Sequence, residues 1–204
     1  MLPEQVVLAS SNRGKLQELT DLLSGLHVRV LLQSEFAVPE VEETGRSFIE
    51  NAILKARHAA LHTRLPAIAD DSGIEVEFLD GAPGIYSARY AGKGASDADN
   101  LQLLVEQVKK SGLDRPAARY QCVIVFLNHC NDATPLIAHG TWHGRIVTEP
   151  RGSNGFGYDP IFYVPTHNCT SAELPPAVKN RISHRGQAMQ DLLRKLAALK
   201  GSGY

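Results

Sequence analysis

The sequence has few cysteines, and those present follow no recognisable pattern. Cys122, Cys130 and Cys169 are odd in number, and their spacing differs from that of metal-ligand motifs. A disulfide framework or a structural zinc site is therefore not expected. The three residues are typical of buried or reduced thiols in a reducing compartment.

The chain also lacks an excess of either charge and a long apolar run. It contains 21 Lys and Arg against 22 Asp and Glu, so no basic field favours nucleic acid as a partner. The first residues, MLPEQVVLASSN, have no basic start and only a short apolar stretch, which argues against a signal peptide or a membrane span. We therefore expect a cytoplasmic protein with neither nucleic-acid nor membrane partners.

What remains is the composition of an ordinary globular protein, without repeats or low-complexity linkers. Of the 204 residues, 43% are hydrophobic and 21% are charged, which suits one domain over residues 1–204. Strand-like and helical segments alternate, so we expect an α/β fold. The consecutive strand-like segments between residues 118 and 148 favour a mixed central sheet flanked by helices over a purely parallel sheet.

Hydrophobic periodicity and turn residues place the individual elements. Capping signals stand at Ser47 with Glu50 and at Ser96 with Asp99, each before a helical pattern. Strands are predicted in VVLAS, VRVLL, AIA, IEVEF, RYQCVIVFLN, PLIAHGTW and GRIVTEP, and helices in LQELTDLLSGL, SFIENAILKARHAALHTR, ADNLQLLVEQVKK and GQAMQDLLRKLAALK.

The turn SSNRGK joins the first strand to the first helix and is a candidate anion site. A helix N-terminus presents backbone N–H groups and positive dipole, and Lys15 would add charge there. The stretch does not match the GxxxxGK[ST] phosphate loop, so an ordinary loop with a solvated Lys15 remains an alternative.

Charged residues in two other segments break the core-or-solvent pattern. On a helical projection Lys55 lies about 20° from Phe48, on the apolar stripe, so its ammonium either reaches water along the surface or enters a cleft. Asp70 and Asp71 end an apolar strand, where they indicate either a turn or an oxygen-ligand site for Mg²⁺. Adjacent strand residues point to opposite faces, so one of the two acids should take the leading role.

The segments GSNGFGYDPIF and KNRISHRG form the last unusual region. Gly155 and Gly157 bracket Phe156, which would let backbone approach a planar ligand while the aromatic ring stacks on it. The dipeptide formed by His184 and Arg185 before a helix would also serve simple capping and solvation.

Taken together, these stretches resemble one family. LASSNRGKLQEL, EETGRSFIENAILKA, IADDSGIEV, GAPGIYSARYAG, GSNGFGYDPIF and AEL with KNRISHRGQA look like successive motifs of the XTP/dITP pyrophosphatases, the inosine triphosphate pyrophosphatase family. The resemblance implies an elongated, two-lobed α/β protomer with a substrate cleft between the lobes, assembled as a homodimer. It also implies Mg²⁺-dependent hydrolysis of dITP, ITP and XTP or dXTP to the monophosphate and pyrophosphate.

The same resemblance implies roles for individual residues. Glu43 and Asp71 would be the metal ligands, Asp71 also the general base, Lys55 the catalytic lysine, and Asp70 a support for Lys55 or for a metal-bound water. The substrate-binding positions would be Ser10, Ser11, Asn12, Arg13, Gly14, Lys15, Ser72, Phe156, Gly157, Tyr158, Asp159, Lys179, His184 and Arg185.

Two other functions remain open on the sequence. A Maf-type pyrophosphatase would act on dTTP or modified pyrimidine triphosphates, but the SHR segment beginning at Ser183 argues against it. A nucleotide sensor without activity is disfavoured by the presence of Glu43, Lys55 and Asp71 together.

Overall fold

The computed structural model of the protein describes residues 2–201, whose strands form one seven-stranded sheet. The strands are β1 (Gln5–Leu8), β2 (Arg29–Leu32), β3 (Ala67–Val76), β4 (Ala117–Leu127), β5 (Leu136–Ile146), β6 (Phe162–Val164) and β7 (Cys169–Thr170). Their order across the sheet is β2, β1, β3, β4, β5, β6, β7.

Helices connect and flank these strands. They are α1 (Arg13–Leu23), α2 (Phe48–Thr63), α3 (Asp97–Ser111), α4 (Pro176–Ile182) and α5 (His184–Gly201). The Ser47 hydroxyl accepts the Glu50 N–H and thereby caps α2, and Ser96 and Asp99 form a reciprocal capping box at α3. Both N-caps and the box at Ser96 are confirmed, but the box predicted at Ser47 is incomplete, because the Glu50 carboxylate accepts the Arg46 N–H at 2.7 Å instead of the Ser47 N–H.

The sheet has mixed strand directions, as the sequence predicts. Strand β1 is parallel to both β2 and β3, whereas β6 is antiparallel to β5 and to β7. Helical crossovers join the parallel strands, whereas β6 and β7 are joined by the short connection 165–168 and β5 is joined to β6 by the longer segment 147–161. The α/β class with a mixed sheet flanked by helices is confirmed.

Two predicted interruptions of strands are wrong. Strand β3 runs without a break through Asp70 and Asp71, because each carboxylate has a lysine partner that compensates its poor fit to a buried strand. Strand β5 continues through Gly144, where an added Cβ would lie 2.5 Å from the ring of Phe162. That glycine marks a close approach within the sheet and not a turn.

The described residues divide into two compact units. The first comprises residues 2–71, 122–140 and 188–201. Its core lies on both faces of the strands, which explains why VVL in β1 is apolar throughout. Leu19 and Leu192 pack with Val6 on one face, whereas Ala56 packs with Val7 on the other.

The second unit comprises residues 72–121 and 141–187 and has its own core. Leu104 and Val108 of α3 pack there with Ile74 of β3 and with the aromatic residues Trp142 and Phe162. Within residues 2–201, no helix is both long and apolar enough to cross a membrane.

Candidate active site

The loop between β1 and α1 forms an exposed helix N-terminus. The Asn12 side chain caps α1 by accepting the N–H groups of Gly14 at 2.8 Å and Lys15 at 3.2 Å. The Asn12 N–H in turn donates to the hydroxyl of Ser10 at 3.1 Å. The predicted loop of Ser10, Ser11, Asn12, Arg13, Gly14 and Lys15 is therefore a capped turn that presents the positive end of a helix dipole.

Lys15 reaches from this loop to the first of the two adjacent acids. Its ammonium donates to both oxygens of Asp70, each at 2.9 Å. The Asp70 side chain is only 9% exposed and that of Lys15 is 25% exposed. Asp70 is thus bound to Lys15, the residue that the sequence analysis assigns to triphosphate binding.

Lys55 joins the second acid to the EETG segment. Its Nζ atom lies 2.8 Å from Asp71 Oδ1 and 3.0 Å from Glu43 Oε1. The predicted inward position of Lys55 on α2 is observed, and its ammonium ends in a part-buried carboxylate cluster rather than at the surface. The alternating faces of β3 separate the partners of Asp70 from those of Asp71, as expected from strand geometry.

The cluster changes the proton affinity of both members of the central pair. Burial opposes the charge of Lys55, but Asp71, Asp70 and Glu43 together outweigh it and raise the Lys55 pKa. Burial also raises the pKa of Asp71, although Lys55 and Asn51 partly offset that effect. Lys55 is therefore a firmly charged cation, and Asp71 is a carboxylate held closer to neutrality than an exposed one.

Asn51 belongs to this cluster and was missed by the sequence prediction. It is fully buried, its Oδ1 accepts the Gly45 N–H at 2.8 Å, and its Nδ2 lies 3.5 Å from Asp71 Oδ2. Gly45 has no room for a side chain, because an added Cβ would lie 2.6 Å from Asn51 Oδ1. Asn51 thus anchors the segment that carries Glu43 beside Asp71.

The oxygen donors of this cluster fit Mg²⁺. Glu43 and Asp71 lie close enough together for the Lys55 ammonium to contact one oxygen of each. Within residues 2–201, no group of three or more His, Cys, Asp or Glu side chains forms an all-protein metal cage. Mg²⁺ sites in phosphate-processing enzymes commonly use one or two carboxylates together with substrate phosphates, so two carboxylates suffice.

A second cluster surrounds Phe156 in the other unit. Phe156 is 71% exposed and stands between Gly155 and Gly157, both with positive φ. The Phe156 N–H donates to Asp159 Oδ2 at 2.9 Å, and the Gly157 N–H donates to Asp97 Oδ2 at 3.0 Å. The loop is therefore fixed by side chains while its aromatic ring stays open to a ligand.

Asp159 and Lys179 form an ion pair below this ring. Asp159 is buried, accepts the Ser171 hydroxyl at 2.7 Å and also accepts a short hydrogen bond from Lys179 Nζ. Lys179 Nζ lies 5.4 Å from the centroid of the Phe156 ring. A side chain at Gly155 would lie 2.1 Å from Asp159 Oδ2, so this glycine makes the pairing possible.

The remaining predicted residues lie in β3, in the loop after Phe156 and at the start of α5. Ser72 directly follows Asp71 in β3 and is half-buried. The Tyr158 hydroxyl donates to the Ser87 carbonyl at 2.8 Å. His184 and Arg185, both half-buried, begin α5.

Three contacting residues escaped the sequence prediction because their patterns are ordinary. Asn51 lies about 60° from Phe48 on a helical projection, at the edge of the apolar stripe, where a polar residue is common. Asp97 resembles a simple first-turn acid of α3, and Ser171 sits in a short turn with no periodicity. Only the position of Asn51 on a mainly apolar face could have signalled a role.

Comparisons with known proteins identify relatives over nearly the whole chain. The family model described as the Ham1 family matches residues 6–195. A dITP/XTP pyrophosphatase from Vibrio parahaemolyticus is 58% identical over 195 residues, covering 96% of this chain and 98% of that protein. A dITP/XTP pyrophosphatase from Escherichia coli O157:H7 is 56% identical over 193 residues, covering 95% and 98%.

Solved structures give the same result. The structure of a HAM1 protein from Coxiella burnetii superposes with a TM-score of 0.92 at 52% identity, covering 97% of this chain and all of the other. The Staphylococcus aureus Ham1 protein superposes with a TM-score of 0.86 at 42% identity, covering 98% and 100%.

Proposed function

The chain belongs to the Ham1 family, and on that premise we propose how its two residue clusters carry out the family reaction. The protein is a pyrophosphatase that hydrolyses non-standard purine nucleoside triphosphates such as dITP and XTP to the monophosphate and pyrophosphate. The observation that carries this function is 58% identity to a dITP/XTP pyrophosphatase over nearly the whole of both chains. The Maf-type alternative with dTTP or modified pyrimidines receives no support from these relatives.

The triphosphate binds at the capped turn that leads into α1. The N-terminus of α1 favours an anion, and Lys15 adds a positive charge beside it. Lys15 is bound to Asp70 in the structure, so substrate phosphates compete with that carboxylate for the ammonium. Asp70 therefore acts by holding Lys15 in place before substrate arrives.

The cofactor is Mg²⁺, held by Glu43 and Asp71. Both residues supply the hard carboxylate oxygens that this cation prefers, and their shared contact with Lys55 keeps the two side chains close together. When bound, Mg²⁺ counters the negative charge that develops on the phosphate under attack. Lys55 neutralises further charge on the polyphosphate and holds both carboxylates in position.

Asp71 is the general base of the reaction. Its raised pKa brings its proton affinity nearer to the working pH, while Lys55 keeps it ionised. The carboxylate orients the attacking water and accepts its proton. Asn51, through its contact with Asp71 Oδ2, restricts the rotation of that carboxylate.

The second cluster recognises the base. Phe156 stacks on the purine ring, and Lys179, held by Asp159, lies close to that stacking surface. Donors such as Lys179 or Arg185 can hydrogen-bond to the 6-oxo group of hypoxanthine and xanthine. The 6-amino group of adenine is itself a donor, so it cannot accept a hydrogen bond from either residue. Such a mismatch rejects an analogue by roughly 10⁴-fold or more.

Guanine also has a 6-oxo group and needs separate discrimination. Xanthine carries an oxygen where guanine carries its 2-amino group, so hydrogen-bond polarity at position 2 separates them. The candidates for this step are the base-recognition residues Lys179, His184 and Arg185. Single replacements of Lys179, His184 and Arg185 test it, and an unchanged preference for ITP over GTP in all three would refute it.

The assembly and location are further parts of the proposal. We expect a homodimer in the cytoplasm without nucleic acid as a partner, which the near-neutral charge balance supports. Sedimentation of the purified protein measures the dimer. A protein of monomer mass at micromolar concentration would refute it.

The test of the function is a panel of purine and pyrimidine triphosphates assayed with Mg²⁺ for released pyrophosphate and phosphate. We expect pyrophosphate from dITP, ITP and XTP, and a loss of at least about 100-fold in kcat for Asp71→Asn. Asp132→Asn, a change at another buried acid whose carboxylate contacts Asn128 and Thr134, is the matched control. Full activity of Asp71→Asn would refute the base role, and no pyrophosphate from the wild type would refute the function, leaving a nucleotide sensor.

A further inference from the structure

The imidazole of His184 is one of three nearly parallel aromatic rings. The Tyr120 ring stacks on it with centroids 4.5 Å apart and planes inclined by 8°. The Trp142 ring lies 6.4 Å from His184 with an inclination of 19°. Neither Tyr120 nor Trp142 belongs to the residues assigned so far.

The two supporting rings are themselves immobilised in the core. Tyr120 of β4 and Trp142 of β5 are 7% and 6% exposed. Phe162 packs against both rings, with centroid distances of 4.6 Å and 5.1 Å and inclinations above 50°. Gly144 leaves the space that the Phe162 ring fills. A ring packed this way cannot turn without displacing its neighbours.

Tyr120 is an uncharged side chain. Burial, followed by the nearby charge of Asp159, raises the pKa of Tyr120, so the side chain is a neutral phenol. The ring that stacks on His184 therefore carries no charge.

The backbone of His184 is fixed independently. The Gly186 N–H donates to the Ser183 hydroxyl at 3.2 Å, which defines the first turn of α5. An added Cβ at Gly186 would lie 1.9 Å from the Asn180 carbonyl oxygen, so α4 and α5 are in close contact there. The remaining freedom of His184 is the rotation of its ring, a broad torsion that backbone alone does not fix.

We propose that Tyr120, supported by Trp142, is a positioning residue that fixes the ring plane of His184 and thereby sets the preference for hypoxanthine over guanine. The hydrogen-bonding groups of a purine lie in its plane, so the direction of each imidazole nitrogen determines which base it satisfies. The inference rests on the proposed role of His184 in base recognition.

A double-mutant cycle tests the proposal through binding of the product nucleotides IMP and GMP, measured by calorimetry. An aromatic pair of this kind corresponds to about 2- to 12-fold in an equilibrium constant. We expect Tyr120→Leu to lower the ratio of IMP to GMP affinity by that factor. In a His184→Ala background the same change should leave the ratio unaltered.

Two further variants separate ring stacking from other effects. Tyr120→Phe keeps the ring and should retain most of the IMP preference. Val105→Ala removes methyl groups from the same core on α3, a helix that carries none of the stacked rings, and should reduce stability without changing the affinity ratio. Thermal unfolding of all variants monitors stability.

The outcomes are distinct. If Tyr120→Leu lowers the ratio equally with and without His184, or if Val105→Ala lowers it as much, the positioning role is refuted. If His184→Ala leaves the wild-type ratio unchanged, the inference also fails, because Tyr120 acts through that residue. Wild-type turnover of dITP, measured in parallel, reports on the proposed function alone.

Discussion

Replacing Lys55 with methionine removes the cation that lies between Asp71 and Glu43. The ammonium is 2.8 Å and 3.0 Å from the two carboxylates, and the three side chains are 11 to 27% exposed. Each contact has a Coulomb energy of about 5 to 6 kcal/mol at an effective dielectric constant of about 20. Desolvation of the lysine offsets much of this energy, and the observed cost of breaking such pairs is about 3 to 5 kcal/mol.

We expect the lower value, about 3 kcal/mol at pH 8 without metal, because the cluster is only part-buried. Burial already raises the Asp71 pKa, and in the variant no Lys55 opposes it. The folded variant then binds a proton more readily than the unfolded chain. Its destabilisation is therefore complete above the raised pKa of Asp71 and shrinks as the pH falls below it.

Lys55 itself does not titrate in that range. Its pKa is raised, so its contribution is present at neutral pH and is lost only as the pH rises through the folded-state value.

Urea unfolding followed by circular dichroism at several pH values from 5 to 8, with a chelator, measures the effect. The matched control is Arg194→Met, which removes an exposed arginine 3.2 Å from Asp191. An exposed pair contributes about 0 to 1 kcal/mol. A destabilisation of Lys55→Met that is no larger than the control, or that is the same at pH 5 and pH 8, would refute the reasoning.

Three other outcomes are expected. Gly155→Ala should raise the KM for dITP, because its Cβ would meet Asp159 Oδ2 at 2.1 Å; Gly94→Ala, with a similar φ but open space, should not. Ser96→Ala should lower the melting temperature less at pH 3 than at pH 7, because Ser96 lowers the pKa of Asp99 and that stabilisation is lost as the pH falls through the folded pKa. Removal of divalent cations with a chelator should abolish pyrophosphate release, and added Mg²⁺ should restore it; release that persists in the chelator would contradict the metal assignment.

The sequence predicts the central residues of the first cluster because they break a strong pattern. Burying a lysine on an apolar helical stripe, or two acids in a strand, costs free energy unless each charge has a partner. In the structure the lysine and an acid are partners of one another. Lys15 and Lys55 take separate acids, as the alternation of strand faces requires. The α/β class was also predictable, because strand-like and helical patterns alternate along the sequence.

Other features depend on partners that are distant in the sequence. Tyr120 has the pattern of an ordinary strand residue, and only folding places its ring against His184. The continuity of β5 through Gly144 likewise depends on the Phe162 ring of another strand. A local pattern contains no signal for such contacts, so the sequence could not predict them.

The unbroken course of β3 through its two acids limits how this segment can change during evolution. Pairing of Ala67 with Val7 of β1 sets the phase of the strand, and Asp70 and Asp71 follow at fixed steps. Inserting or deleting one residue between Ala67 and Asp70 would exchange the faces of the two carboxylates and offer each to the wrong lysine. Substitutions that keep both carboxylates can therefore be tolerated in this segment, whereas insertions and deletions of one residue cannot.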